Sequence, residues 1–317
     1  MPVPSTLADL NVTPGLNSPP GSESPTTADD YLRTLSAFIA QQRDQIATLQ
    51  TDSAALKTLT GSSGPIVFRN RVRNGAFSIN QRVVAGTVTL AAGAYGHDGW
   101  KGGAAGCTYT YSTTAGLTTI TITAGSLIQV IEGANIEGGV YCMSWTGTAT
   151  GKVGAGSYAA SGVNSASVTG GANLNIEFTV GTLTKVQLEP GTTPTPFEML
   201  PFSMQLAISQ RYYCKTFNYS QAPIQNVGNL QGCITTSWAI AGGFATQWVF
   251  PVEMRAPPTL TGYNPFAANG NWRGRAGADY AAAASTAIGT RQTDVGSISS
   301  LAGGEIYYIH LTASAEL

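Results

Sequence analysis

Charge is what this sequence has least of. Only 10% of its 317 residues are Asp, Glu, Lys or Arg, against roughly 25% in an average soluble protein. With 16 basic and 17 acidic residues the formal net charge is −1, so nothing steers the chain toward nucleic acid or into an anionic membrane. The two histidines, His97 and His310, lie far apart, and His97 and Asp98, as neighbours, would face opposite sides of a strand. No GxSxG elbow, HExxH pair, P-loop or dinucleotide fingerprint occurs. Cys107, Cys142, Cys214 and Cys233 form no CxxC or Cys/His cluster, which favours buried free thiols over disulfides or a metal site. The long charge-free span from Gly102 to Ile131 is a Thr/Gly-rich alternation and not a membrane helix. No apolar run with a basic lead opens the chain, so no secretory signal is expected.

These absences leave catalysis little to work with. A glycosidase needs two carboxylates across a cleft. Asp98, Glu132, Glu137, Asp279 and Asp294 are available, but their spacing gives no reason to pair any two. No Asp/Asn-rich loop proposes a calcium site. The expectation is a protein that is not an enzyme and that carries no cofactor and no metal.

What is present suits β-structure. Gly numbers 38, small polar residues abound, and a hydrophobic content of 43% argues against disorder over most of the length. A chain of 317 residues has room for two or three domains with sizeable cores. Residues 1–27 hold six prolines and few large apolar residues, so they are expected to be extended, either as a loose tail or as a segment ordered by docking elsewhere. Thr27 with Asp30 is a weak capping box that opens a helix over 28–60. Leu32, Leu35, Ile39, Gln42, Ile46, Leu49, Ser53 and Leu56 recur at alternating three and four, which predicts a short coiled coil. The alternative is a single helix lying on a β-domain. Ile with Leu in this arrangement favours two strands in parallel model systems. Residues 61–65, GSSGP, predict a linker.

Residues 66–199 predict one β-sandwich domain, with TYTYS at 108–112, LTTITIT at 117–123 and NLNIEFTV at 173–180 alternating at period two. Residues 185–213, KVQLEPGTTPTPFEMLPFSMQLAISQRYY, predict a joint. A strand ends at Glu189-Pro190-Gly191, a proline-stiffened tail follows, and a short helix starts near Pro201. Phe202, Met204, Leu206, Ile208, Tyr212 and Tyr213 are apolar on more than one side, so this helix is expected to be buried between two bodies. Residues 200–317 predict a second β-domain, with a hairpin turning at Gly242-Gly243 and a closing strand at 304–313.

Three stretches carry a resemblance. VQLEPG, TPFE, PF and QRYY together look like the domain junction of tail fibres of tailed bacteriophages. STLADLNVTPGLNSPPGSESPTTADDYLRTLSAFIAQQRD is similar to fibre segments that attach to the virion, and FPVEMRAPPTLTGYNP at 250–265 is similar to a strand and turn in fibre tips. NGAFSINQR at 74–82 and YGHDGW at 95–100 resemble the early strands of a jelly-roll module in such fibres, related in shape to carbohydrate-binding modules. An Arg often follows the Asp of the second motif, and this chain has Gly99, which puts any salt bridge there in doubt. The resemblance implies a homotrimeric fibre in the virion tail, assembled in the host cytoplasm. Residues 1–27 would dock on a tail or baseplate protein, and the outer β-domain would recognise a bacterial surface glycan. Two other readings are a structural adaptor fibre without receptor contact and, less favoured, a polysaccharide-cleaving tailspike. A tailspike would ordinarily bring a long β-helical repeat, and none is visible.

For sugar recognition, aromatic rings must stack on the apolar faces of sugars while Asn and Arg hold the hydroxyls. Tyr263, Asn264, Phe266, Asn271, Trp272, Arg273 and Arg275 offer that mixture in one loop-like stretch, with Asn269 beside them. The alternative is that Trp272 packs in a trimer core and the arginines sit at subunit contacts. Tyr95, Trp100, Trp238 and Trp248 fit a core or interface better than a binding surface.

Overall fold

Strict alternation of Thr with Ile shapes the longest hairpin of the fold. The computed structural model describes residues 28–59, 68–238, 242–281, 288–301 and 304–317, so the expected attachment segment 1–27 and linker 61–65 lie outside the described residues. Strands β2 (Lys101–Thr114) and β3 (Leu117–Ile131) meet around Ala115 and Gly116, whose φ values of 51° and 77° are those of a type I′ turn. That turn twists with the strands, and Gly116 takes the positive φ without steric cost. Thr118, Ile120 and Ile122 point into the core, one every second residue.

Strand β3 is long enough to serve two partners. Its first half pairs with β8 (Gly181–Pro190), Ile120 opposite Leu183, and its second half with β7 (Leu174–Phe178), Leu127 opposite Phe178. Strand β1 (Val88–Leu90) edges β2, β4 (Tyr141–Thr146) joins β8, β5 (Gly151–Val153) joins β7 and β6 (Val163–Asn164) joins β4. The resulting eight-stranded sheet splits in a β-sandwich-like manner over Phe77, Trp100, Tyr109, Ile120, Phe178 and Leu183.

The two motifs expected as early strands, 74–82 and 95–100, are irregular instead. The reason is local. The Asn74 amide bonds Ile79 in both directions, at 2.8 and 2.9 Å, and reaches the Asp98 carbonyl at 3.0 Å, doing with one side chain what a ladder would do. The Asp98 carboxylate is served from elsewhere. It accepts from the Gln81 N–H (2.6 Å) and side chain (2.8 Å), with Arg82 at 3.8 Å. Gly99, at φ 84°, makes room for Arg73, since a Cβ there would lie 2.7 Å from its Nε.

Helix α2 (Phe202–Gln210) follows Pro201, its N-cap, as the proline predicts. Its inward face corrects the apolar expectation. Gln205 and Ser209 are buried, whereas Phe202 and Met204 are exposed and Leu206 and Ile208 half-buried. Gln205 turns inward because its Oε1 accepts the Asn74 N–H at 3.1 Å. Tyr212 and Tyr213, just past the helix, are buried as expected.

The second core is organised by one strand, β16 (Glu305–Ser314), within the region expected to close the chain. It pairs with β9 (Tyr213–Lys215), β10 (Ile234–Trp238), β12 (Thr259–Tyr263) and β13 (Trp272–Gly274), and β14 (Asp279–Tyr280) extends β13. The Gly242-Gly243 hairpin expectation is also corrected. Both glycines lie inside β11 (Gly242–Val249), which pairs with β15 (Gln292–Leu301) and not with β10. The core holds Trp248, Met254, Trp272, Tyr307 and Ile309. Both cores belong to one unit, Val67–Leu317.

The four cysteines are free thiols, Cys233 half-buried and the others buried. Burial pushes the Cys107, Cys214 and Cys233 thiols up to about 12 and that of Cys142 up to about 11, so they stay protonated and inert.

The first unit, Met1–Ile66, contributes helix α1 (Ala28–Leu59). Leu35, Ile39, Ile46 and Leu49 are 51%, 62%, 55% and 66% exposed, and Gln42 is exposed with them. The side chains of Leu32 and Leu56 lie outside the described residues. Among the described residues no helix is long and apolar enough to cross a membrane.

Candidate functional site

Strand β13 alternates, and the alternation decides which side chains share a face. Trp272 points inward, fully buried, with its indole N–H on the Gly296 carbonyl at 3.0 Å. It is therefore core and not a platform for a sugar, a correction to its place in the candidate set. Arg273 faces the other way, opposite Tyr308 of β16 in register. The ladder runs on through the Arg275 N–H to the Ile306 carbonyl at 2.9 Å, which sets exposed Arg275 on the Arg273 face.

Arg273, Arg275 and Tyr308 line an open groove of about 590 Å³ together with Phe266, Leu230 and Gly274. That volume lies within the usual range of about 300–1,000 Å³ for ligand sites. Phe266 is 42% exposed, and the Arg273 guanidinium sits 5.9 Å from its ring centre. Phe266, Arg273 and Arg275 thus come together as the sequence proposes. Leu230 and Tyr308 were not among the candidates. The alternation of Glu305-Ile306-Tyr307-Tyr308, with Tyr307 buried and Tyr308 half-exposed, is the signal that finds the second.

Beneath the groove lies a polar cluster centred on Asp279. Its carboxylate accepts from Asn264 Nδ2 (2.9 Å), Asn269 Nδ2 (2.9 Å) and Arg273 (3.0 Å). Partial burial pushes the Asp279 carboxyl up, but these three donors together outweigh it and hold it below its ordinary value. Asn264, fully buried, also accepts the Phe266 N–H at 2.9 Å, fixing the turn that presents the ring. Asn271, half-buried, donates its N–H to Asn269 Oδ1 at 3.0 Å. Tyr263 is half-buried with its ring edge-on to Phe217, 5.4 Å between centres. These residues shape the loop, and Phe266, Arg273 and Arg275 line the groove beside it.

Two other carboxylates considered for catalysis are engaged elsewhere. Glu132 accepts from Tyr212 (2.6 Å) and Arg211 (3.1 Å), and Glu137 from Tyr141 (2.6 Å) and Arg71. A second concavity of about 500 Å³ opens between the first sheet and α2, lined by Arg71, Arg73, Glu132 and Arg211 among others. Here Arg71 and Arg73 are paired with Glu137 and Glu316, and Glu132 holds Arg211 at the end of α2, whereas Phe266 and Arg275 stand exposed, so the Phe266 groove is the stronger candidate. Among the described residues no three His, Cys, Asp or Glu gather as a metal site would require. No protein-family model matches the chain, and a search of curated proteins finds no match.

Proposed function

We propose that this chain is a tail fibre protein of a tailed bacteriophage, a non-enzymatic homotrimer that recognises a bacterial surface glycan. Its residues 1–27 dock on a tail or baseplate protein, and its place is the virion tail. The resemblance of the junction and of both flanking stretches is one support. The observation that carries the recognition half is the groove, where two rings, Phe266 and Tyr308, meet two guanidinium groups on one open face.

The assembly half rests on α1. Leu35, Ile39, Ile46 and Leu49 follow a heptad seam and are all more than half exposed. Burying a side chain of this size is worth about 1.5–3 kcal/mol, so three copies packing these seams together gain substantially. Three weak sites on one particle then act with avidity.

The test is binding of the labelled full chain to a panel of bacterial strains, before and after periodate oxidation of the cells. The proposal expects binding to a subset of strains, lost on oxidation and reduced at least ten-fold by Phe266→Ala. Binding that survives both treatments would point to a non-glycan receptor. Truncation at residue 200 is a poor substitute, because Glu316 is buried against Arg73 and its loss would unsettle the first core.

A further inference from the structure

The charge balance of the groove is not neutral. Asp279 approaches Arg273 at 3.0 Å and accounts for that charge. Glu305, on the strand that carries Tyr308, lies on the opposite face of β16 beside buried Tyr307, where it accepts from the Ala276 N–H and Tyr280. The exposed Arg275 guanidinium has no carboxylate partner among the described residues. The undescribed stretches within this unit, Val67, 239–241, 282–287 and 302–303, contain no Asp or Glu. A net positive charge therefore faces a groove that two aromatic rings also line.

We infer that the groove takes an acidic saccharide, with a sugar ring stacked on Phe266 and Tyr308 and an anionic substituent, carboxylate or phosphate, held by Arg275. This deepens the glycan reading of the same groove and rests on it. A guanidinium presents a planar fork that matches either anion with two parallel hydrogen bonds, which a neutral hydroxyl cannot match. Arg273 is held by Asp279 over the Phe266 face, so it stiffens the wall while Arg275 is left to meet the ligand. Arg275 needs no partner in the fold, which makes it a specificity residue that can be changed without disturbing the core.

The experiment uses the full chain with three immobilised polysaccharides: dextran, polygalacturonate and a phosphomannan. Binding is measured for the wild type, Arg275→Gln and Arg275→Lys. At least one acidic polymer should bind ten-fold or more tightly than dextran. Arg275→Gln should abolish that preference, and Arg275→Lys should keep part of it. Which acidic polymer binds distinguishes a carboxylate from a phosphate ligand. Equal binding of dextran, or a preference untouched by Arg275→Gln, overturns the inference and leaves the glycan reading standing. Binding to neither acidic polymer also overturns it, and the periodate assay on cells then decides the glycan reading separately.

Discussion

Arg73 and Glu316 stand 243 residues apart in sequence and meet at 2.7 Å, each side chain only 5% exposed. Arg82 shares the same carboxylate at 3.2 Å and lies 3.8 Å from Asp98, so two arginines and two carboxylates balance inside the unit. The arginines also lie over the tyrosines of the QRYY stretch, Arg73 3.9 Å from the Tyr212 ring and Arg82 3.8 Å from that of Tyr213. Charge and aromatic stacking thus join the two β-regions.

Removing one partner of such a buried pair costs far more than the pair contributes, because the other charge is stranded. Glu316→Ala is expected to lower stability by about 3–5 kcal/mol, seen as a lower urea midpoint. Glu316→Gln, which keeps an acceptor for one arginine, should lose less. A midpoint unchanged in Glu316→Ala would show that water reaches the arginines.

Asp279 positions the groove without lining it. Asp279→Ala leaves the buried Asn264 amide short of an acceptor, at a cost of about 1–3 kcal/mol, and frees Arg273 to move. On the proposed function, glycan affinity should fall about ten-fold, with Asp279→Asn intermediate, as measured by titration with a glycan from a strain that binds the wild type. Full affinity in Asp279→Ala would remove Arg273 from the account.

His97, fully enclosed beside Tyr109 (Nδ1 to hydroxyl 2.9 Å), is depressed by burial to about 4 from its ordinary 6.5. The unfolded chain therefore binds a proton over that window that the folded chain refuses. Stability falls as pH drops from 6.5 to 4, by about 1.4 kcal/mol per unit at most. His310, also lowered by burial, acts in the same direction, and Asp98, raised chiefly by its burial, acts in the opposite one. The difference between wild type and His97→Gln isolates His97. In thermal melts across this range the variant should show the shallower acid slope, and parallel slopes would contradict the buried neutral imidazole.

The thiols make a simpler prediction. With every thiol pushed up by burial, the native protein should react with a disulfide reagent far more slowly than the denatured chain, half-buried Cys233 first. Rapid native labelling of Cys142 would mean that β4 opens.

Where sequence and structure agree, the cause is local. LTTITIT and NLNIEF form strands because apolar side chains every second residue need a single buried face, and Ile120, Ile122, Leu174, Ile176 and Phe178 share one core. Helix α1 runs from Ala28 to Leu59, within a turn of its expected ends. Gln205 turns inward for an N–H donor 131 residues away, which no pattern within the helix reveals. Gly242-Gly243 has the composition of a turn, but β11 finds its partner in β15, a non-local choice. In the candidate site, the stretch reads as a loop in sequence, so the opposition of Trp272 and Arg273 emerges only once β13 pairs with β16. Tyr308 and Leu230 join the groove only through the tertiary pairing of β16.

The most direct test of the fibre account is the mass of the full chain in solution by light scattering, beside an Ile39→Asp/Ile46→Asp double variant. The account predicts three times the 32.8 kDa chain mass for the wild type, and a smaller or concentration-dependent mass once the α1 seam is charged. A wild-type mass equal to one chain would contradict the shared seam and the avidity that follows from it.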